Sequence, residues 1–150
     1  MTARSPARHD TPPLPPLPPS AVQRAGLLFA VSFEPAEYRV GQTRRITAAL
    51  LHHRGLGAVL DPAVLVVSEL VTNAVRHGRG NVGLTVTYSA VELRIEVSDG
   101  STAPARLRTA EETDESGRGL WLVAAVAREW GASDDGTVTW CTLALPAGPS

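Results

Sequence analysis

The period of the apolar positions changes several times along the chain, and each change marks an element. Residues 27–33 (LLFAVSF) form a short, mostly apolar run that predicts a strand, followed by Pro35 at a helix start. Tyr38, Val40, Ile46, Leu50 and Leu51 then recur at broadly helical spacing across residues 36–54, and Arg54-Gly55 closes that helix. Asp61-Pro62 offers an N-cap with proline at the first helical position, opening a helix that runs through His77 and is stopped by Gly78. Residues 82–88 and 91–98 alternate or favour β structure with Ser89-Ala90 between them, which predicts an antiparallel hairpin. Periodicity lapses from Asp99 to Gly119. Residues 120–130 return to a helical pattern stopped by Gly131, and the Asp135-Gly136 turn signal precedes a last strand at 137–145 (TVTWCTLAL). No internal repeat is visible. These elements predict an α/β (α+β) fold, a two-layer sandwich of helices on one face of a mostly antiparallel sheet.

Composition refines this picture at the N-terminus. Seven of the twelve prolines precede Ser20, in a tract containing PPLPPLPP. Such a run has few backbone donors and favours polyproline II, so residues 1–22 are expected to form a semi-rigid, disordered tail outside a single domain at 23–150. Its PxxP spacing could also dock an aromatic groove. A chain of 150 residues has room for one domain with a proper core.

Net charge is −1 and the pI about 6.4, so no global field draws the protein to nucleic acid or to an anionic membrane. The longest apolar runs, 63–67 and 120–127, are far shorter than the ~20 residues of a membrane span, and the N-terminus carries no apolar signal segment. A single cysteine, Cys141, sits in a strand-like apolar run and reads as a small buried hydrophobe suited to a reducing cytoplasm. All fourteen basic residues are arginine. The absence of lysine excludes a P-loop, the strand lysine of a eukaryotic-type protein kinase and Schiff-base chemistry with pyridoxal phosphate.

Three stretches carry candidate chemistry. In the helix from Val64 that carries SELVTNAVRHG (68–78), Val64, Val67, Leu70, Val71, Ala74 and Val75 fill one arc as its expected core face. Ser68, Glu69, Thr72, Asn73, Arg76 and His77 lie on the remaining arc, interrupted by Leu65 and Val66. Glu69 and Asn73 are four apart and so stack on one side, where a carboxylate and an amide oxygen could together hold a hard cation and a water; the plainer alternative is an exposed polar stripe. VSDGS (97–101) ends a strand at Asp99-Gly100, where a carboxylate could accept a hydrogen bond from an amine, although Asp-Gly is also a common turn. ESGRGLWLV (115–123) leads Gly117 and Gly119 into an apolar helix whose N-terminus could face an anion. That glycine pair lies too late in the chain for a dinucleotide fingerprint, which follows the first strand of a βαβ unit. Between the second and third stretches, residues 101–116 have the length of a functional lid.

In this order the three stretches resemble the anti-sigma-factor serine/threonine kinases, a small branch of the histidine-kinase-like (GHKL, Bergerat-fold) ATPases. The resemblance covers roughly residues 27–146. SELVTNAVRHG is similar to that family's N box, VSDG to its first glycine box and ESGRGL to its second. It implies that ATP and Mg²⁺ are the cofactors, with the Asn73 side-chain oxygen on the metal and Glu69 as general base. It further implies that Asp99, beside Gly100, accepts the adenine amine, and that Gly117, Arg118, Gly119 and Leu120 wrap the phosphates. His77 either belongs to that site or caps its helix through the C-terminal dipole.

In such a family a sigma factor and an anti-anti-sigma (STAS-type) protein compete for the kinase, which acts as a homodimer in the cytoplasm without contacting nucleic acid or membrane. One departure stands out: the wider superfamily reads Asp-x-Gly-x-Gly at the first glycine box, whereas Asp99 here is followed by Gly100-Ser101-Thr102-Ala103-Pro104. The rival expectations are a regulator of the same fold that binds ATP without transferring phosphate, and a ligand-free interaction domain whose motifs are only caps and turns.

Overall fold

The computed structural model describes residues 26–100 and 115–146, with the backbone alone from 115 to 120. The proline-rich stretch at 1–22 and most of the expected lid, 101–114, lie outside the described residues. Among these residues, five strands and three α-helices follow in the order β1 (Gly26–Phe33), α1 (Tyr38–His53), α2 (Leu60–His77), β2 (Val82–Tyr88), β3 (Glu92–Ser98), α3 (Glu115–Val126), β4 (Glu129–Ala132) and β5 (Val138–Ala144), with a 3-10 turn at Gly57–Val59 leading into α2. The strands form one sheet in the order β1-β2-β3-β5-β4, every pair antiparallel. This is the expected two-layer α+β arrangement.

Alternation decides which face of the sheet is covered. Val82, Leu84 and Val86 of β2 stand beside Leu93, Ile95 and Val97 of β3, and the register places Leu93 opposite Leu143 and Ile95 opposite Cys141. All eight are buried, and they pack with Val66, Val67, Leu70 and Val71 of α2 in one core. Burying such side chains stabilises by about 1.5–3 kcal/mol each, so this layer contact holds the domain together. The segment Gly57–His77 is long and apolar enough, by composition, to cross a membrane. Its apolar residues are those of a core helix that packs on the sheet and against α1.

The helix ends follow the sequence in one case and depart from it in another. At the end of α1 the Leu56 N–H donates to the Leu51 carbonyl at 2.8 Å and the Gly55 N–H to that of His52 at 3.1 Å. This Schellman pattern needs a left-handed residue, supplied by Gly55 at φ +73°. Asp61, by contrast, is not the N-cap of α2. The 3-10 turn feeds directly into the helix, Val59 takes the cap position without a side-chain hydrogen bond, and Asp61 sits in the first turn, where a carboxylate still complements the helix dipole.

Two further expectations are corrected. The hairpin loop is one residue longer than Ser89-Ala90, because the Ser89 hydroxyl accepts the N–H groups of Val91 and Glu92, both at 3.2 Å, and Val91 is left exposed. The helix expected at 120–130 instead runs from Glu115 to Val126, and residues 129–132 form β4. Helical spacing there is overridden by pairing: Trp130 lies opposite Cys141 and packs on the core, while Gly131 leaves room for the Trp140 ring, which a Cβ would approach to 3.2 Å.

Candidate functional site at the end of helix α2

Glu69, Asn73 and His77 stand four residues apart and form one row along α2. The expected core arc missed their setting. Ala63, Val66 and Asn73 are buried, whereas Val64 and Val75 are only partly so, which turns the buried face roughly half a right angle toward this row. Glu69 and His77 are therefore half-buried at its margin, and Asn73 lies inside it at 6% exposure. Asn73 Oδ1 is one of three buried side-chain polar atoms among the described residues that have no hydrogen-bond partner. Leaving such an oxygen unpaired costs about 1–3 kcal/mol, so the fold keeps a strong acceptor where its own groups do not use it.

The second stretch meets the end of this helix directly. The Asp99 N–H donates to the Thr137 carbonyl at 3.0 Å, extending the β3–β5 ladder one residue past the Ser98–Val138 pair. On the other side the Gly100 N–H donates to the Arg79 carbonyl. Between these two bonds the Asp99 carboxyl lies against Gly78: a Cβ on Gly78 would fall 2.6 Å from Asp99 Cγ, 2.7 Å from Oδ2 and 2.5 Å from the Ala74 carbonyl oxygen. Gly78 has φ −85°, which any residue can adopt. It ends the helix because only hydrogen fits there, not because the backbone turns left-handed. Gly100 is similar, since a Cβ would stand 2.9 Å from the Arg79 carbonyl oxygen.

The third stretch is placed differently from expectation. Gly117, Arg118 and Gly119 were expected as the last loop residues before a helix starting at Leu120, but all four lie within the first turns of α3, which begins at Glu115. Glycine costs least near a helix start, where the first four N–H groups have no intrahelical acceptor in any case. Those free donors and the positive end of the dipole then belong to residues 115–118. α3 packs against α2, so the helix carrying the third stretch adjoins the one carrying the first.

Sequence reasoning passed over the β4–β5 turn. Asp135 Oδ1 accepts three hydrogen bonds: from the Ser133 hydroxyl at 2.7 Å, the Thr137 hydroxyl at 2.8 Å and the Thr137 N–H at 3.0 Å. These bonds, the Thr137 N–H first, hold its carboxyl down at about 2. The Ser133 hydroxyl also accepts the Val138 N–H at 3.1 Å. The only signal in the sequence was Asp135-Gly136, read as a turn between strands. Burial of Cys141 pushes its thiol up to about 12, in keeping with an inert core residue.

The arrangement is thus a two-layer α+β domain in which a buried, unpaired amide oxygen and a clamped carboxylate sit at one end of the central helix. Across residues 32–143, about three quarters of its length, the chain matches the family of the histidine kinase-like ATPase domain. The protein belongs to that family. The comparison with curated proteins gave no match.

Proposed function

We propose that the protein is an ATP-binding regulator of the anti-sigma-factor type, which phosphorylates a serine or threonine of an anti-anti-sigma protein and holds a sigma factor when that antagonist is absent. The observation that carries the reading is the buried Asn73 Oδ1 without a partner, one helical turn from the Gly78–Asp99 contact. Among the described residues no three His, Cys, Asp or Glu side chains cluster as metal ligands. A magnesium ion suits this setting, because it takes one or two protein oxygens together with substrate phosphates and water. When bound, it would neutralise charge on the phosphates of ATP.

Each residue of the chain then has a role. Asn73 supplies the oxygen ligand, Asp99 accepts the adenine amine, and Glu69, one turn before Asn73 on the same row, takes the proton of the attacking hydroxyl. The N–H groups at the start of α3, with Gly117, Arg118, Gly119 and Leu120, face the phosphates. Arginine is the cation such a transfer would use, since the chain has no lysine. His77 closes the row and favours the negative end of the helix dipole when protonated. Competition between sigma factor and antagonist for one homodimeric, cytoplasmic kinase makes phosphorylation the step that releases the antagonist.

Labelled ATP, Mg²⁺ and a cognate antagonist test the proposal: label should pass to the acceptor, and Glu69→Ala should abolish it. Equal labelling by the variant, or none by the wild type, defeats the kinase reading. The missing later glycine after Asp99 supports a second reading, a regulator that binds ATP and transfers nothing. Binding of ATP without acceptor labelling would favour it.

A further inference from the structure

The clamp on Asp99 has a part that lies outside the three motifs. The Asp99 N–H is held by the Thr137 carbonyl, and Thr137 is itself held by Asp135, whose Oδ1 takes both its N–H and its hydroxyl. Ser133 braces the same oxygen and, through its own hydroxyl and N–H, ties the turn to Val138, the residue opposite Ser98. A chain of short hydrogen bonds therefore runs from an exposed turn to the backbone of a half-buried carboxylate. On the far side the Arg79–Gly100 bond and the Gly78 contact leave the Asp99 carboxyl little room to shift.

We propose that Asp135 is a positioning residue for the base-recognition carboxylate: through Thr137 it fixes the height of Asp99 at the end of β3 and so sets how strictly the site demands a 6-amino purine. The proposal rests on the reading of Asp99 as the acceptor of the adenine amine. Asp135 does not touch the nucleotide. A single oxygen accepting three donors explains why the residue is an aspartate and not merely a turn former, since glycine or serine would serve the turn but could not gather all three.

The test compares ATP with purine riboside triphosphate, which lacks the 6-amino group, by calorimetric titration of the full chain with Mg²⁺. A hydrogen bond to a charged group should make the wild type prefer ATP by about tenfold or more. Asp135→Ala should bring the two affinities to within about threefold. Asp135→Asn keeps an oxygen able to accept the same three bonds and should retain most of the preference. Ser133→Ala, which removes one of the three, should fall between and serves if Asp135→Ala does not fold.

Lowered affinity for both nucleotides with the ratio preserved would mean that the turn is only structural, and would overturn the proposal. A wild type that discriminates, with Asp135→Ala discriminating equally, overturns the positioning role and leaves the adenine reading standing. A wild type that binds both nucleotides alike, or neither, overturns both.

Discussion

Replacing Gly78 with alanine tests how the helix end and the Asp99 carboxyl share space. The new methyl carbon would lie 2.5 Å from the Ala74 carbonyl oxygen and 2.6–2.7 Å from Asp99 Cγ and Oδ2, closer than carbon and oxygen approach without displacement. Two of those neighbours belong to a side chain whose backbone is pinned on both sides by Thr137 and Arg79, and the third is backbone of the helix itself. No conformational penalty enters, because φ at Gly78 is −85°. Overpacking of this kind costs about 1–3 kcal/mol, which for a domain of this size lowers Tm by roughly 4–15 °C.

The displaced carboxyl should weaken ATP binding by about tenfold or more, the value of a hydrogen bond to a charged group. Gly80→Ala is the control: φ there is +66° and no atom lies within 4 Å of the new carbon, so that variant should lose about 1–2 kcal/mol of stability and keep its affinity for ATP. Thermal melting and calorimetric titration separate the two effects. A Gly78→Ala protein as stable as wild type, or one binding ATP as tightly, would refute the contact argument.

Asn73→Leu should leave the nucleotide-free protein as stable as wild type or up to ~2 kcal/mol more so, because it removes a buried oxygen that has no partner, while abolishing the stabilisation that Mg²⁺-ATP confers; chemical denaturation with and without nucleotide checks both halves. Cys141 should resist thiol reagents until the domain unfolds. Its thiol stays protonated in the fold to about pH 12 but ionises near 9 when unfolded, so stability should fall as pH rises through that window, and Cys141→Ser should flatten the slope. Asp135 has the opposite sign: its folded value near 2 lies below the ordinary carboxylate value, so its contribution is present above about pH 4 and is lost as pH falls toward 2. Acid denaturation of wild type compared with Asp135→Asn reads that loss.

The sheet and its partner helix were legible because their residues carry clean periods. Strands β2 and β3 alternate along most of their length, and α2 keeps its apolar stripe for eighteen residues. Asn73 could be picked out as polar and one turn from Glu69, but not as buried. That depends on where the sheet and α3 press on the helix, which shifted the covered face by a fraction of a turn beyond what the apolar residues alone define.

Gly78 was visible only as a helix stop, since the need for an absent Cβ arises from a strand end twenty-one residues later in the chain. Glu129 and Trp130 of β4 were read as the end of a helix and Gly131 as its stop, because the four residues of this strand have no alternation of their own and are strand only by virtue of β5 beside them. The Asp135 turn was recognisable as a turn, but its bond to Asp99 through Thr137 is a tertiary relation with no local sign.

In the proposed function one nucleotide is gripped at both ends of this junction, its base at Asp99 and its metal at Asn73. Titrating the full chain with ATP, with and without Mg²⁺, for wild type, Asp99→Ala and Asn73→Ala measures this most directly. Binding to the wild type should be saturable and stabilise it by about 2.7 kcal/mol at a hundredfold excess over Kd. Asp99→Ala should lose most of the affinity, and Asn73→Ala should bind more weakly and no longer respond to Mg²⁺. Equal, magnesium-dependent binding by all three proteins, or none by the wild type, would contradict it.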